Sequence, residues 1–372
     1  MPSIEELRAR GEVGGRTVQI VSSGAVEVAV HEPAPLPAGW IRVRTVRSAI
    51  SPGTEMTFYG RDASNVYLHK QWNEELRLFE AAEPTLQYPI AFGYRAAGVV
   101  LDAGETDVPV GFRVYGNWRH TELTALPAEQ ARAQQVPEPL TWDDAVDLGQ
   151  MAPICVNAVA FAEDETRDGL AVVFGAGPVG LITAQVARAG GAAVWVVDRI
   201  PERLEIAAGL GFDTLSTAEV DVAATLKRRF GGGGIAVVWE CTGSTYVLNE
   251  AIRTVRRQGL VVAVGFYQGE GNGLLLGDEF HHNGIRVVCG QIGNVHRSTS
   301  HEALRSRTIE LALTGRLSLG GLPRVTLPVD AAADAFAALT RPAEVLQAAL
   351  DYGAESAGRA PTMRRRDRPG PS

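Results

Sequence analysis

Cysteine, lysine and long apolar runs are what this chain has least of. Three cysteines, Cys155, Cys241 and Cys289, are spread over 372 residues. Each sits in an apolar strand-like or helix-like stretch, which reads as a buried thiol and not as a disulfide framework or a metal site. Lysine occurs only at Lys70 and Lys227, so the motifs described below contain no lysine base. No apolar run approaches the roughly 18 residues of a membrane span, and the opening MPSIEELRAR has no signal-peptide core. A cytoplasmic protein with no membrane partner is expected. A net charge of −8 argues against a nucleic-acid partner.

What is present is ordinary for a soluble globular protein: 45% apolar and 21% charged residues. The length implies two domains, because single cores stop growing near about 250–300 residues. Residues 16–50 alternate apolar and polar side chains in RTVQIV, AVEVAVHE and WIRVRTVRSAI, the period of β-strands. Residues 61–88 are polar and irregular and read as an inserted loop or short helix. Strands resume at AAGVVLDAG and GFRVYG. From about residue 155 the period changes. Buried apolar strands alternate with helices through LAVVFGAGPVGLITAQVARAGGAAVWVVDRI, IAVVWECTG, GLVVAVGFY and IRVVCG, which predicts a doubly wound parallel sheet. The fold class is α/β, with a β-rich unit first. The segment from Ala354 is rich in Arg, Pro and Gly, and disorder is expected there.

FGAGPVG carries Gly175, Gly177 and Gly180 in the G-x-G-x-x-G spacing, directly after an apolar strand and at the start of a helix. That context makes it a dinucleotide site: a tight turn, close approach of pyrophosphate to the backbone, and helix packing on the strand. Pro178 and Val179 belong to the same turn, at a helix N-terminus that attracts phosphate. Asp198 ends the next strand, where a carboxylate binds both ribose hydroxyls and meets a 2′-phosphate with like charge. NAD(H) is therefore expected over NADP(H), although Arg199 next door offers a guanidinium to a phosphate.

With these motifs in place the chain resembles the medium-chain dehydrogenase/reductase superfamily from about residue 16 to 352. The resemblance implies a GroES-like catalytic domain, residues 1–151 and 294–372, interrupted by a Rossmann domain, residues 152–293. Zinc-dependent members carry Gly-His-Glu before AAGVV; here the residues are Gly93, Tyr94 and Arg95. Their Cys-Gly-Thr-Asp motif is replaced by Ser51-Pro52-Gly53-Thr54-Glu55, and the third ligand position holds Gln150. The four-cysteine structural lobe is absent, so no zinc is expected. The segments AISPGTE, FGYRAAGVV, RHTE, GFYQG and DEFHHNGIR are similar to a narrower zinc-free subgroup that includes the bacteriochlorophyllide 2-hydroxyethyl dehydrogenases. Members of that subgroup act in natural-product, sugar and cyclitol pathways. By this resemblance Asp198 and Arg203 hold the adenosine ribose, and Cys241 and Thr242 flank the cofactor. Gly265, Phe266 and Tyr267 line the nicotinamide, with Gln291 and Gly293 at its carboxamide. Pairing of the IRVVCG strand with its copy implies a homodimer.

Hydride transfer makes or consumes an alkoxide-like oxygen, and without a metal protein groups must stabilise it and move its proton. The candidates are Thr54, Tyr94 and His281, with Glu55, His120 and His282 at the substrate pocket. Tyr94 stands at a ligand position, Thr54 matches the family's hydroxyl relay, and the His281 imidazole titrates near neutrality. The expected activity is interconversion of a small-molecule secondary alcohol and a ketone with NAD(H). Alternatives are an enoyl or quinone reductase, a cofactor-retaining epimerase, or a non-catalytic NAD(H) sensor.

Overall fold

Two sheets with opposite hydrogen-bonding plans organise the computed structural model, which describes residues 2–60, 63–167, 169–268 and 270–353. The expected disorder from Ala354 onward falls outside the described residues.

The first sheet has eight strands and is mostly antiparallel. Its central strand, Trp40–Ile50, pairs with Thr121–Pro127, Ala96–Asp102 and Ala348–Asp351. The chain thus returns to this sheet at its end, and Val325–Pro328 completes that edge in parallel with Ala348–Asp351. The alternation read in residues 16–50 appears here as one buried and one wetter face. Val18, Ile20, Ile41 and Val43 are all 2% exposed or less.

The second sheet has six parallel strands. In space they run Asp213–Ser216, Ala193–Asp198, Leu170–Phe174, Ile235–Glu240, Leu260–Ala263, Arg286–Cys289. Numbered along the chain, that is the order 3-2-1-4-5-6 of the doubly wound dinucleotide fold. Ile235–Glu240 is buried along its whole length, as a strand covered by helices on both faces must be. The strand order reverses between Leu170–Phe174 and Ile235–Glu240. Ligands settle in the crevice at the carboxyl ends of such a pair.

Two short features had weak sequence signals. Ser3 and Glu6 form a capping box on the helix Ile4–Ala9. Inside the irregular stretch lie the short helix Met56–Tyr59 and a small hairpin, Gln71–Asn73 with Leu78–Glu80.

Candidate active site

The glycine turn closes over the crevice. Gly175 has φ +97°, a conformation open to glycine, and an added Cβ would stand 2.8 Å from Thr242 Cγ2. At Gly180 a Cβ would stand 1.7 Å from the Gly175 carbonyl oxygen, so helix Pro178–Ala189 sits hard against the turn only because there is no side chain. Gly177 caps that helix without a side-chain bond, which leaves its first N–H groups to a ligand. A cleft of about 420 Å3 opens here, lined by Gly177, Val179, Asp198, Arg203 and Thr242, with Pro52 and Gly53 across from them. The Asp198 carboxylate accepts from the N–H groups of Ala176 and Arg199, each at 2.7 Å, and of Ile200 at 2.9 Å. It therefore ties the turn to the next strand. A carboxylate has about four lone-pair sites, so one remains for a ribose hydroxyl. Arg203 crosses towards Gly177 and donates to the Pro342 carbonyl, while Arg199 is exposed. These groups fit a dinucleotide.

On the other wall, residues 51–55 form a tight loop. The Tyr94 hydroxyl donates to Ser51 Oγ at 2.6 Å, and the Thr54 N–H donates to the same Ser51 oxygen at 3.2 Å. Burial pushes the Tyr94 pKa up; Ser51, Thr54 and the Arg95 charge oppose that rise only in part. Tyr94 thus stays a neutral donor. Beneath it, Glu55 accepts from Ser51 N at 2.9 Å and meets His120 Nε2 at 2.7 Å. A carboxylate partner selects the Nε2–H tautomer, so His120 Nδ1 accepts from Ser48 Oγ, 2.8 Å away. The Ser48 hydroxyl also lies 3.3 Å from the Tyr352 hydroxyl.

A family model described as zinc-binding dehydrogenase matches residues 178–309. The D-guloside 3-dehydrogenase of Shigella flexneri is 26% identical over 77% of this chain and 85% of its own length. The L-galactonate-5-dehydrogenase of Escherichia coli is 37% identical over 32% of this chain and 35% of its own. The solved 2R,3R-butanediol dehydrogenase of Bacillus subtilis shares the fold at a TM-score of 0.72 and 19% identity, covering 90% of this chain and 99% of that one. The chain shares the fold of the solved butanediol dehydrogenase and is similar in sequence to the family model and to the two relatives named above.

The matched segment of the family model holds five of the six parallel strands and does not contain the positions of the metal ligands discussed above. At those positions this chain offers a poor donor set. Pro52 has no side-chain donor, Tyr94 is bonded to Ser51, and Gln150 Oε1 accepts from Asn117 at 3.0 Å. Among the described residues no three His, Cys, Asp or Glu side chains converge. Zinc takes thiolate, imidazole or carboxylate, so these residues do not fit it. Arg95 fills the adjacent space instead. It is fully buried and donates to Asp147 Oδ1 through Nε at 2.8 Å, to the Ile50 carbonyl at 3.0 Å and to Gln347 Oε1 at 2.8 Å. Arg324 donates to the other Asp147 oxygen at 2.8 Å.

Several expected roles change with these coordinates. His281 and His282 do not join Tyr94 and Thr54: both are exposed on the short helix His281–Asn283, their rings meeting each other at 5.5 Å. The segment before them is broken at Asp278, whose backbone is non-helical. Glu55 and His120 line no pocket, because each is at most 1% exposed and each completes the other's hydrogen bonding. The carboxylate partner of Arg95 is Asp147. Cys241 borders the cleft but turns its sulfur towards Thr183, and burial raises its pKa. Gln291 donates through its side-chain amide to the carbonyls of Val264 and Gly265.

Sequence reasoning passed over Glu240. It is fully buried and accepts from Thr242 N at 2.7 Å, Gly243 N at 3.1 Å and the hydroxyls of Thr242 and Tyr267. Burial raises its pKa against those four donors, and burial together with Glu240 raises that of Tyr267. Tyr267 and Gly265 are thereby fixed by one carboxylate, since a Cβ at Gly265 would approach Glu240 Oε2 to 2.9 Å. A carboxylate closing an otherwise apolar strand, IAVVWE, was the available signal.

Proposed function

We propose that this protein interconverts a secondary alcohol and a ketone by hydride transfer with NAD(H), without zinc. The observation that carries the reading is the pairing of a dinucleotide-shaped cleft with a neutral Tyr94 phenol on a loop whose neighbouring side chains do not fit a metal. NAD(H), when bound, supplies or takes the hydride. The chain's own hydroxyls handle the oxygen: with substrate bound, Tyr94 would turn its one O–H from Ser51 Oγ to the reacting oxygen beside Thr54, and the proton released in oxidation would pass to solvent water and return from it in reduction. Before that turn Ser51 keeps the phenol oriented through the 2.6 Å bond, and the sealed Glu55–His120–Ser48 chain holds the loop. Asp198 disfavours a 2′-phosphate, which supports NAD(H) over NADP(H). The names of the relatives, a guloside and a galactonate dehydrogenase, support a polyhydroxylated substrate. A strand edge at Arg286–Cys289 supports a homodimer. Hydrogen-bonding groups at the reacting end favour carbonyl chemistry over an enoyl or quinone reductase or a non-catalytic sensor.

The deciding experiment is metal analysis of active protein. Less than a tenth of a zinc per chain, with activity unchanged by chelator, is the expected result. One zinc per chain whose removal abolishes turnover overturns the metal-free reading. In the same preparation NAD(H) should bind tighter than NADP(H), and Asp198→Ala should narrow that gap; tighter NADP(H) binding would assign control to Arg199.

A further inference from the structure

A second cavity, about 250 Å3, opens between the starts of helices Met151–Ala160 and His301–Leu313. It is smaller than the roughly 300–1,000 Å3 of sites for drug-sized molecules, so its occupant is small. Four polar side chains dominate its lining: Asn117, Gln150, His301 and Arg305. Its position follows from the sequence on either side. Gln150 stands at one of the three replaced ligand positions, and Gly293 follows closely on Gln291, which grips the carbonyls of Val264 and Gly265. The cavity therefore adjoins the place where hydride would be exchanged, and the inference rests on the reading proposed above.

The chemistry of the lining is one-sided. Arg305 and His301 project one turn apart from helix His301–Leu313, and neither has a carboxylate partner among the described residues. Asp143, Asp147 and Asp351, the acids of the neighbouring cluster, are all taken by Arg47, Arg95 and Arg324. An unpaired guanidinium in a half-buried cavity of a chain with net charge −8 is a ready partner for an anion. His301 adds an N–H donor in either protonation state. Across from them, Asn117 Nδ2 donates to Gln150 Oε1, which leaves the Asn117 oxygen and the Gln150 amide N–H groups for hydroxyls.

We infer that the substrate is a small polyhydroxylated anion, whose carboxylate or phosphate is held by Arg305 and His301 while Asn117 and Gln150 bond its hydroxyls. Arg305 is a specificity-determining residue in this assignment, and Tyr94 and Thr54 remain the groups at the reacting oxygen.

The test compares D-glucitol, D-gluconate and D-glucitol 6-phosphate as substrates with NAD+. At least one anion should exceed the neutral hexitol in kcat/KM by about 10-fold or more, the scale of a charged hydrogen bond. The carboxylate and phosphate arms show which anion the cavity takes. Arg305→Gln should collapse the preference through a KM for the anion raised by roughly 10–100-fold, with Arg305→Lys between the two. Equal or better use of the neutral hexitol, or a preference unmoved in Arg305→Gln, overturns the assignment and leaves the oxidoreductase reading standing. Titration calorimetry of the same anions into NADH-loaded protein separates the other case. Saturable binding lost in Arg305→Gln, without turnover of any of the three, supports the anion site and counts against the alcohol–ketone reading. No anion binding and no turnover overturn the anion site.

Discussion

Tyr94 carries the largest expected effect of any single side chain. Its pKa is raised, first by burial, above the ordinary phenol value of about 10, so its proton stays in place across the neutral range. The sign follows directly: a phenol acting as donor loses function only when the pH rises through that elevated value, and no activity limb below about pH 10 belongs to it. Tyr94→Phe is expected to lower kcat by roughly 10²-fold at every pH from 6 to 9, the usual cost of one preorganised donor. Steady-state kinetics of both proteins check this; a variant with normal kcat and altered KM would make Tyr94 a packing residue. His281→Ala, by contrast, should leave kcat within about threefold, because within one chain the exposed imidazole is not among the groups around Tyr94. A loss of about 10²-fold or more would return His281 to acid/base work and require it to reach a site by another route.

At the scale of elements, the parallel sheet and its turn were readable and the other wall was only partly so. FGAGPVG, VWVVD and the apolar strands announce themselves because each obeys a local rule: a glycine where a Cβ would collide, an acid at a strand end, continuous apolar residues where both faces are covered. Gly180→Ala should accordingly abolish NADH binding in a fluorescence titration, since the new methyl would occupy the Gly175 carbonyl's place. The Arg95 cluster obeys no local rule. Its members come from strand Ala96–Asp102's leading edge, helix Trp142–Leu148 and the two segments before strands Val325–Pro328 and Ala348–Asp351. No spacing along the chain links positions 95, 147, 324 and 347, so the sequence showed an arginine where zinc enzymes have a glutamate and nothing of its partners. The cavity beside Gln150 was illegible for the same reason, because no spacing along the chain links positions 117, 150, 301 and 305. Asp147→Ala would strand two buried guanidinium groups and is expected to cost about 3–5 kcal/mol in denaturant unfolding.

For the whole molecule, the open question is how the parallel sheet ends. Arg286–Cys289 is its last strand and is largely exposed, with Val287 at 38%. Arg286 and Gly290 turn their N–H groups inward to the carbonyls of Gly259 and Ala263, so the N–H of Val287 faces away from the sheet. An open edge of this kind is a template for a second copy. A dimer is expected by analytical ultracentrifugation, and Val287→Pro, which removes an outward donor without touching an inward one, should shift it towards monomer. A wild-type monomer at micromolar concentration would exclude edge pairing.

Because Arg95 is held by Asp147, Gln347 and the Ile50 carbonyl, and Asp147 in turn by Arg324, the loop under Tyr94 is anchored in part by residues that follow the parallel sheet in the chain. The parallel sheet is complete in sequence by Cys289. During synthesis from the amino end, then, the nucleotide half gains all its strands while the loop's anchors at 324 and 347 are still to be added. The nascent protein should therefore have its parallel sheet and glycine turn before the cleft gains Pro342 and the loop its anchors, and ribosome-stalled chains of increasing length offer a direct view of that interval.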